Sequence, residues 1–326
     1  MRGNATPGMR LRRPGLRRGA ALLPLAAVTL LSGCVEDGTS FLTPHGPVAA
    51  LQRYHLWEVT LISMIVVLPV LVGVPLLAWR YRYGNAKARY TPEWDFSHTL
   101  EWVMWVVPAL IVLALGALLW IDTHKLDPYR PIASAEPPLR VQVVGLDWKW
   151  LFIYPDYHIA TVGQMAFPQD RPVSMQLTTD TVMQSFTIPA LAGQIYAMPG
   201  MQTKLNFKAD KLGKFEGMNT QFTGDGFDKQ HFTAVSMSKG DFDNWVKSVQ
   251  DKGVALNQAA YAKLSVSSTP AEVRAEFGTQ AMPPKAVFFN NVAPGFYMGI
   301  MNRYMKGTTA KSVDQPGSVA YNAAHS

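Results

Sequence analysis

Residues 56–79 read LWEVTLISMIVVLPVLVGVPLLAW, and residues 103–121 read VMWVVPALIVLALGALLWI. The first run carries a single charge, Glu58, and the second carries none. At 1.5 Å per helical residue, each is long enough to cross about 30 Å of hydrocarbon. Trp57, Trp79, Tyr81 and Tyr83 flank the first run, and Trp102, Trp105 and Trp120 lie towards the ends of the second. Such rings favour the headgroup level of a bilayer. Arg80, Arg82, Lys87 and Arg89 fall between the runs, which predicts a cytoplasmic loop with everything after Asp122 outside. The expectation is a two-helix transmembrane hairpin over residues 34–124, with spans at about 56–79 and 101–121. Pro69, Pro75 and Pro108 lie within the spans. Proline is tolerated there when neighbouring helices satisfy the freed backbone, which suits packing against a larger membrane partner.

Upstream, six arginines (Arg2, Arg10, Arg12, Arg13, Arg17, Arg18) precede the apolar run Ala20–Leu31. That run is too short to span and reads, with its basic start, as an export signal over residues 1–33, beginning at Met1 or Met9. It meets Leu31-Ser32-Gly33-Cys34, which resembles the lipobox of bacterial lipoproteins. The resemblance implies cleavage before Cys34 and acylation at it; an ordinary signal with a chance cysteine is the alternative. Cys34 is the one cysteine among 326 residues, so neither an intrachain disulfide nor a site built on two thiolates can form. The net charge of +7 comes from clusters beside apolar runs. Those set membrane orientation, whereas nucleic acid needs a folded basic face and is excluded as a partner.

After a linker rich in proline (Pro128, Pro131, Pro137, Pro138) the texture changes. Short β-rich runs appear at Leu139–Leu146, Trp148–Tyr154, Val173–Thr179, Ser185–Ile188, Met201–Phe207, Gly217–Phe222 and Phe232–Met237. Turn residues separate them, and no helical pattern intervenes. This predicts an antiparallel sandwich or barrel over residues 139–238. From Asp241 the period becomes helical, with Phe242, Trp245, Val246 and Val249 on one face and a second run after Thr269-Pro270-Ala271-Glu272. A small helical C-terminal extension over 239–306 and a polar tail over 307–326 are expected.

Four motifs go further. Leu100-Glu101-Trp102-Val103-Met104-Trp105-Val106-Val107-Pro108 opens the second span. Asp147-Trp148-Lys149-Trp150 begins an aromatic strand. Val182-Met183-Gln184-Ser185-Phe186-Thr187-Ile188-Pro189 and Met198-Pro199-Gly200-Met201 follow it. Together with the signal, hairpin and β-domain, these resemble subunit II of bacterial haem–copper respiratory oxidases over about Cys34 to Met305. The resemblance implies a cupredoxin-like barrel on a membrane hairpin.

Copper-bearing members of that family hold two ions with two cysteines, two histidines, a methionine and a glutamate carbonyl. Here the first histidine position is Gln184, the cysteine positions are Asn219 and Thr223, and the last histidine position is Phe227. Soft thiolates hold copper in such a site, and amides or hydroxyls do not replace them. The pattern resembles the quinol-oxidising branch, as do Gln194–Thr203, Asp147–Pro155 and Phe288–Met305. That branch implies a non-catalytic subunit with no cofactor in this chain, in a complex that oxidises quinol, reduces oxygen to water and moves protons outward. Haems and copper are expected in the large partner, subunit I. The other implied partners are further oxidase subunits, membrane lipid and ubiquinol, without cytochrome c, at the bacterial inner membrane with the β-domain in the periplasm.

Glu101 matches the glutamate at the cytoplasmic mouth of the proton path to the partner's oxygen-reducing site. An ionisable group at a span is a functional candidate; a helix-start carboxylate facing the dipole is the plainer reading. His158 and His231 lack ligand spacing and are not expected to bind metal. His98 and His124 sit at membrane boundaries. Trp148 and Trp150 are expected to pack. No phosphate loop, nucleophile elbow or paired carboxylates stand out. The rival to an oxidase subunit is a free-standing membrane lipoprotein that acts as a binding module.

Overall fold

The computed structural model describes residues 39–89, 91–277 and 286–305. The expected signal (1–33), the lipobox with Cys34, the alternative starts and the polar tail lie outside the described residues. Among the described residues two long helices come first, α1 (Pro47–Arg80) and α2 (His98–Lys125). Both are long and apolar enough to cross a membrane. Each extends beyond the apolar run that marks it, because the polar flanks continue the helix. Pro47 starts α1, where a missing N–H costs nothing. The Ser97 hydroxyl caps α2 by accepting the Leu100 amide.

Among the described residues, twelve strands then build two sheets. They are β1 (Leu139–Leu146), β2 (Lys149–Tyr154), β3 (Ile159–Val162), β4 (Gln164–Pro168), β5 (Val173–Thr179), β6 (Gln184–Ile188), β7 (Ala192–Ala197), β8 (Thr203–Phe207), β9 (Gly213–Asn219), β10 (His231–Met237), β11 (Val254–Ala255) and β12 (Val287–Asn290). The seven-stranded sheet runs β11-β12-β3-β2-β1-β5-β8, and the five-stranded sheet runs β4-β10-β9-β6-β7. The expected antiparallel arrangement is corrected to a mixed one, since β1–β5, β4–β10 and β11–β12 pair in parallel. Strand spacing alone could not reveal this. The chain leaves the large sheet between β3 and β4 through Gly163, at φ 81°, a left-handed conformation that glycine adopts without strain. It returns from the small sheet as β5, which lies beside β1.

The two sheets face each other across an aromatic core. Phe186 stacks on Phe232 at 5.1 Å, and Trp150 meets Phe186 edge-on at 5.1 Å. Each such ring, fully buried, contributes about 1.5–3 kcal/mol. A second apolar cluster lies on the other face of the large sheet, joining Val144, Leu151 and Ile153 to Tyr261, Phe289, Tyr297 and Ile300. This explains why every residue of β2 is buried: a strand covered on both faces reads as a continuous apolar run.

The extension is helical, with α3 (Lys239–Lys252), α4 (Gln258–Leu264), α5 (Pro270–Phe277) and α6 (Phe296–Met305). It also supplies β11 and β12, the latter pairing antiparallel with β3. Ser238 caps α3, which buries Phe242, Trp245, Val246 and Val249 as its period predicts.

The hairpin is seated on the sandwich. The His45 amide donates to the Ala190 carbonyl, and the Asp210 amide donates to the His45 carbonyl. A Cβ at Gly46 would lie 2.2 Å from the Lys208 carbonyl oxygen, so backbone touches backbone where α1 begins.

Candidate functional site

Three connections meet at one end of the sandwich: the turn between β1 and β2, the loop between β5 and β6, and the loop between β9 and β10. Gln184, the first residue of β6, is fully buried. Its side-chain amide donates to the Leu146 carbonyl at 3.0 Å and to Thr181 Oγ1 at 3.2 Å. Its Oε1 accepts from Gln230 Nε2 at 2.6 Å. Asn219, the last residue of β9, donates to Gln230 Oε1 at 2.9 Å and to the Gln221 carbonyl at 2.8 Å. Its Oδ1 accepts the amides of Ser185 and Gln221. The Thr223 hydroxyl lies at the edge, 3.4 Å from Asn219 Nδ2. Gln184, Gln230 and Asn219 therefore form a chain of neutral amides whose donors and acceptors satisfy one another, as burial requires.

Of the four positions singled out in the sequence, Gln184, Asn219 and Thr223 converge. Phe227 does not: it sits on a 3-10 turn, Phe227–Lys229, and packs against Phe222 at 5.7 Å. Gln230 links the other amides and escaped sequence reading, because it lies outside the motif's fixed spacings. A lone glutamine just ahead of an apolar strand was the only signal. Replacing Gln230 by Ala should strand Gln184 Oε1 and one Asn219 N–H in a dry interior, costing about 1–3 kcal/mol. Thermal unfolding of the purified complex would show it, and an unchanged melting profile would mean that water fills the gap.

Trp148, placed in a strand by the sequence, lies instead in the β1–β2 turn at φ 64°. Its indole donates to the Thr223 carbonyl at 3.1 Å. A Cβ at Gly226 would lie 2.3 Å from the Trp148 ring, so the indole lies directly against this loop.

A model of the periplasmic domain of cytochrome c oxidase subunit II matches residues 159–229. Over 289 residues the chain is 43% identical to cytochrome bo(3) ubiquinol oxidase subunit 2 of Pseudomonas aeruginosa, covering 89% of this chain and 82% of that one. This chain belongs to the ubiquinol oxidase subunit 2 family. The corresponding protein of Pseudomonas putida is 44% identical, over 76% of this chain and 78% of its own. Ubiquinol oxidase subunit 2 of Acetobacter aceti is 38% identical, over 90% of both.

Two buried charges brace this end of the subunit. Asp180, just after β5, is 6% exposed. It accepts from the Tyr261 hydroxyl at 2.6 Å, the Tyr304 hydroxyl at 3.0 Å and the Arg303 guanidinium. Burial raises its pKa, and Arg303 with the two hydroxyls pulls it back. Tyr304 also donates to the Asp180 carbonyl at 2.7 Å, so α6 is latched to the loop that leads into Gln184. Lys149, fully buried at the start of β2, places its ammonium within 3.1 Å of four oxygens: the carbonyls of Asp147, Val266 and Ser268 and the Ser268 hydroxyl. Burial pushes its pKa down to about 7, with Asp147 and Glu272 opposing.

Glu101 stands in the first turn of α2, exposed, beside the capped N-terminus. His158 directs Nδ1 to the Val292 carbonyl at 3.3 Å, and His231 pairs with Glu216 at 2.8 Å. The two imidazoles thus have separate partners.

Proposed function

We propose that this chain serves a proton-moving ubiquinol oxidase as a subunit that holds no copper. The observation that carries this reading is the amide chain Gln184–Gln230–Asn219, in which Gln184 and Asn219 stand at positions the family resemblance assigns to copper ligands and Gln230 bridges them. Neutral amides fill the space and satisfy one another, so no thiolate or imidazole is offered to a soft metal. Electrons then pass from a membrane-dissolved quinol directly to the haems and copper of subunit I, and no docking site for cytochrome c is needed. In this reading the parts of the chain are a signal (1–33), a membrane hairpin (34–124), a periplasmic cupredoxin-like domain (139–238), a C-terminal extension (239–306) and a tail. The chain crosses the inner membrane twice and is lipid-anchored at Cys34.

Glu101 is assigned to proton uptake. A carboxylate exposed at the cytoplasmic end of α2 collects protons and passes them to a buried relay in the neighbouring subunit.

Oxygen uptake by the complex purified through this subunit tests both points. Uptake is expected with ubiquinol and not with reduced cytochrome c. Uptake with cytochrome c would overturn the copper-free reading, and a preparation without haem would favour the lipoprotein module. In the same assay Glu101→Ala should slow turnover several-fold at unchanged haem content. Normal turnover in an intact complex would leave Glu101 only its helix-start role.

A further inference from the structure

At the end of the hairpin nearest the sandwich, three side chains from the two helices converge. His55 and Glu58 lie three residues apart on α1, a spacing that puts both on one helical face. Asp122 comes from the last turn of α2. His55 Nδ1 stands 2.7 Å from Asp122 Oδ2, and one donor atom from each of the three residues falls within 4.8 Å of the others. We propose that His55, Glu58 and Asp122 form a binding site for a divalent transition-metal cation of the zinc class.

The geometry is near what such an ion requires. Bonds of about 2.0–2.2 Å in a tetrahedral site place ligand atoms roughly 3.3–3.5 Å apart. The His55–Asp122 pair must therefore open by less than about 1 Å, and Glu58 must swing inward by a side-chain torsion. Three protein donors leave the fourth position to water. The ion takes the place of the hydrogen shared by His55 and Asp122. A neutral imidazole keeps that hydrogen at Nε2, and an imidazolium releases one proton.

The surroundings favour a cation. Two carboxylates face one imidazole at the margin of the apolar helices. The only ammonium paired with them among the described residues is Lys125, 3.3 Å from Asp122 Oδ1 and itself half exposed. Lys125 holds one carboxylate oxygen and leaves Oδ2 turned to the site, an orienting role typical of groups behind a metal ligand. Glu58 forms no ion pair among the described residues. An open cleft of about 480 Å³, lined by His55, Leu119, Asp122, Thr123, His124 and Pro128 among others, gives an ion a route in. The mixed nitrogen and oxygen set suits zinc better than magnesium or calcium, which prefer oxygen alone.

The test counts metal rather than activity. The complex, purified through this subunit and stripped with chelator, is titrated with Zn²⁺, and retained zinc is measured against haem. One zinc beyond background is expected, with binding at least tenfold weaker in each of His55→Gln, Glu58→Gln and Asp122→Asn. Glu58→Gln leaves the His55–Asp122 hydrogen bond in place, so it remains informative even where the other two disturb assembly. A Glu58→Gln complex that binds zinc like wild type overturns the site. So does wild type that retains none, or zinc displaced by a modest excess of Mg²⁺.

Discussion

Replacing Asp180 by Ala should release the C-terminal helix and destabilise the β-domain by about 2–4 kcal/mol. The residue is a carboxylate out of water that gathers three donors from the far end of the chain. Without it, the buried Tyr261 hydroxyl loses its acceptor and Arg303 loses this carboxylate. The Arg303 side chain is 52% exposed, so water recovers part of that loss and the effect stays below that of a fully enclosed pair. Asp180→Asn keeps the shape and one accepting oxygen and should cost less. Limited proteolysis of the complex within residues 286–305, followed beside thermal unfolding, would report the change. Equal cleavage rates in wild type and Asp180→Ala would show that apolar packing alone holds α6.

A second large effect concerns pH. The stability of the β-domain should rise between about pH 7 and 10, and Lys149→Met should flatten that rise. Burial lowers the Lys149 pKa from its ordinary 10.5 to about 7. Across this window the unfolded chain holds a proton that the folded chain has given up, so raising the pH favours folding. Below about pH 7 both states carry the proton and the slope vanishes. The methionine variant lacks the titrating group and also leaves the carbonyls of Val266 and Ser268 without their donor, at about 1–3 kcal/mol. The gap between the two proteins should therefore be widest near pH 10. Denaturant unfolding at pH 7, 8.5 and 10 would show it, and parallel curves would mean that the four oxygens keep the ammonium charged throughout.

The hairpin was readable because apolar length is a one-dimensional property: Leu56–Trp79 and Val103–Ile121 each announce a helix without reference to any neighbour. Strand pairing is not of that kind. Ile159–Val162 and Gln164–Pro168 lie on different sheets with a single glycine between them, and no cluster of turn residues marks the break. Val287–Asn290 sits within what reads as a helical region, and it becomes a strand only because β3 offers an open edge. The run placed at Gly217–Phe222 lies instead at Gly213–Asn219, since residues 220–226 belong to the loop that leads to Gln230.

The functional positions divide in the same way. Gln184, Asn219 and Thr223 could be found because a family pattern fixes their spacing. Gln230 could not, because its importance lies in what it touches. Likewise His55 and Asp122 are 67 residues apart, and nothing along the chain couples them. Lys149 reads as an ordinary polar residue within an aromatic strand; only the cover supplied by residues 266–268 makes it a buried cation.

The seat of α1 on the sandwich has a mechanical meaning. With Gly46 against Lys208 and His45 bonded on both sides, the first turn of the helix is clamped rather than hinged. From Pro47 to its first internal proline, Pro69, α1 extends about 33 Å. A one-degree rocking of the β-domain then displaces the helix at Pro69 by roughly 0.6 Å, by simple leverage on a rod of that length. In the membrane placement proposed above, α1 carries a small tilt of the domain inward as a displacement that grows with distance from the clamp, at the expense of force.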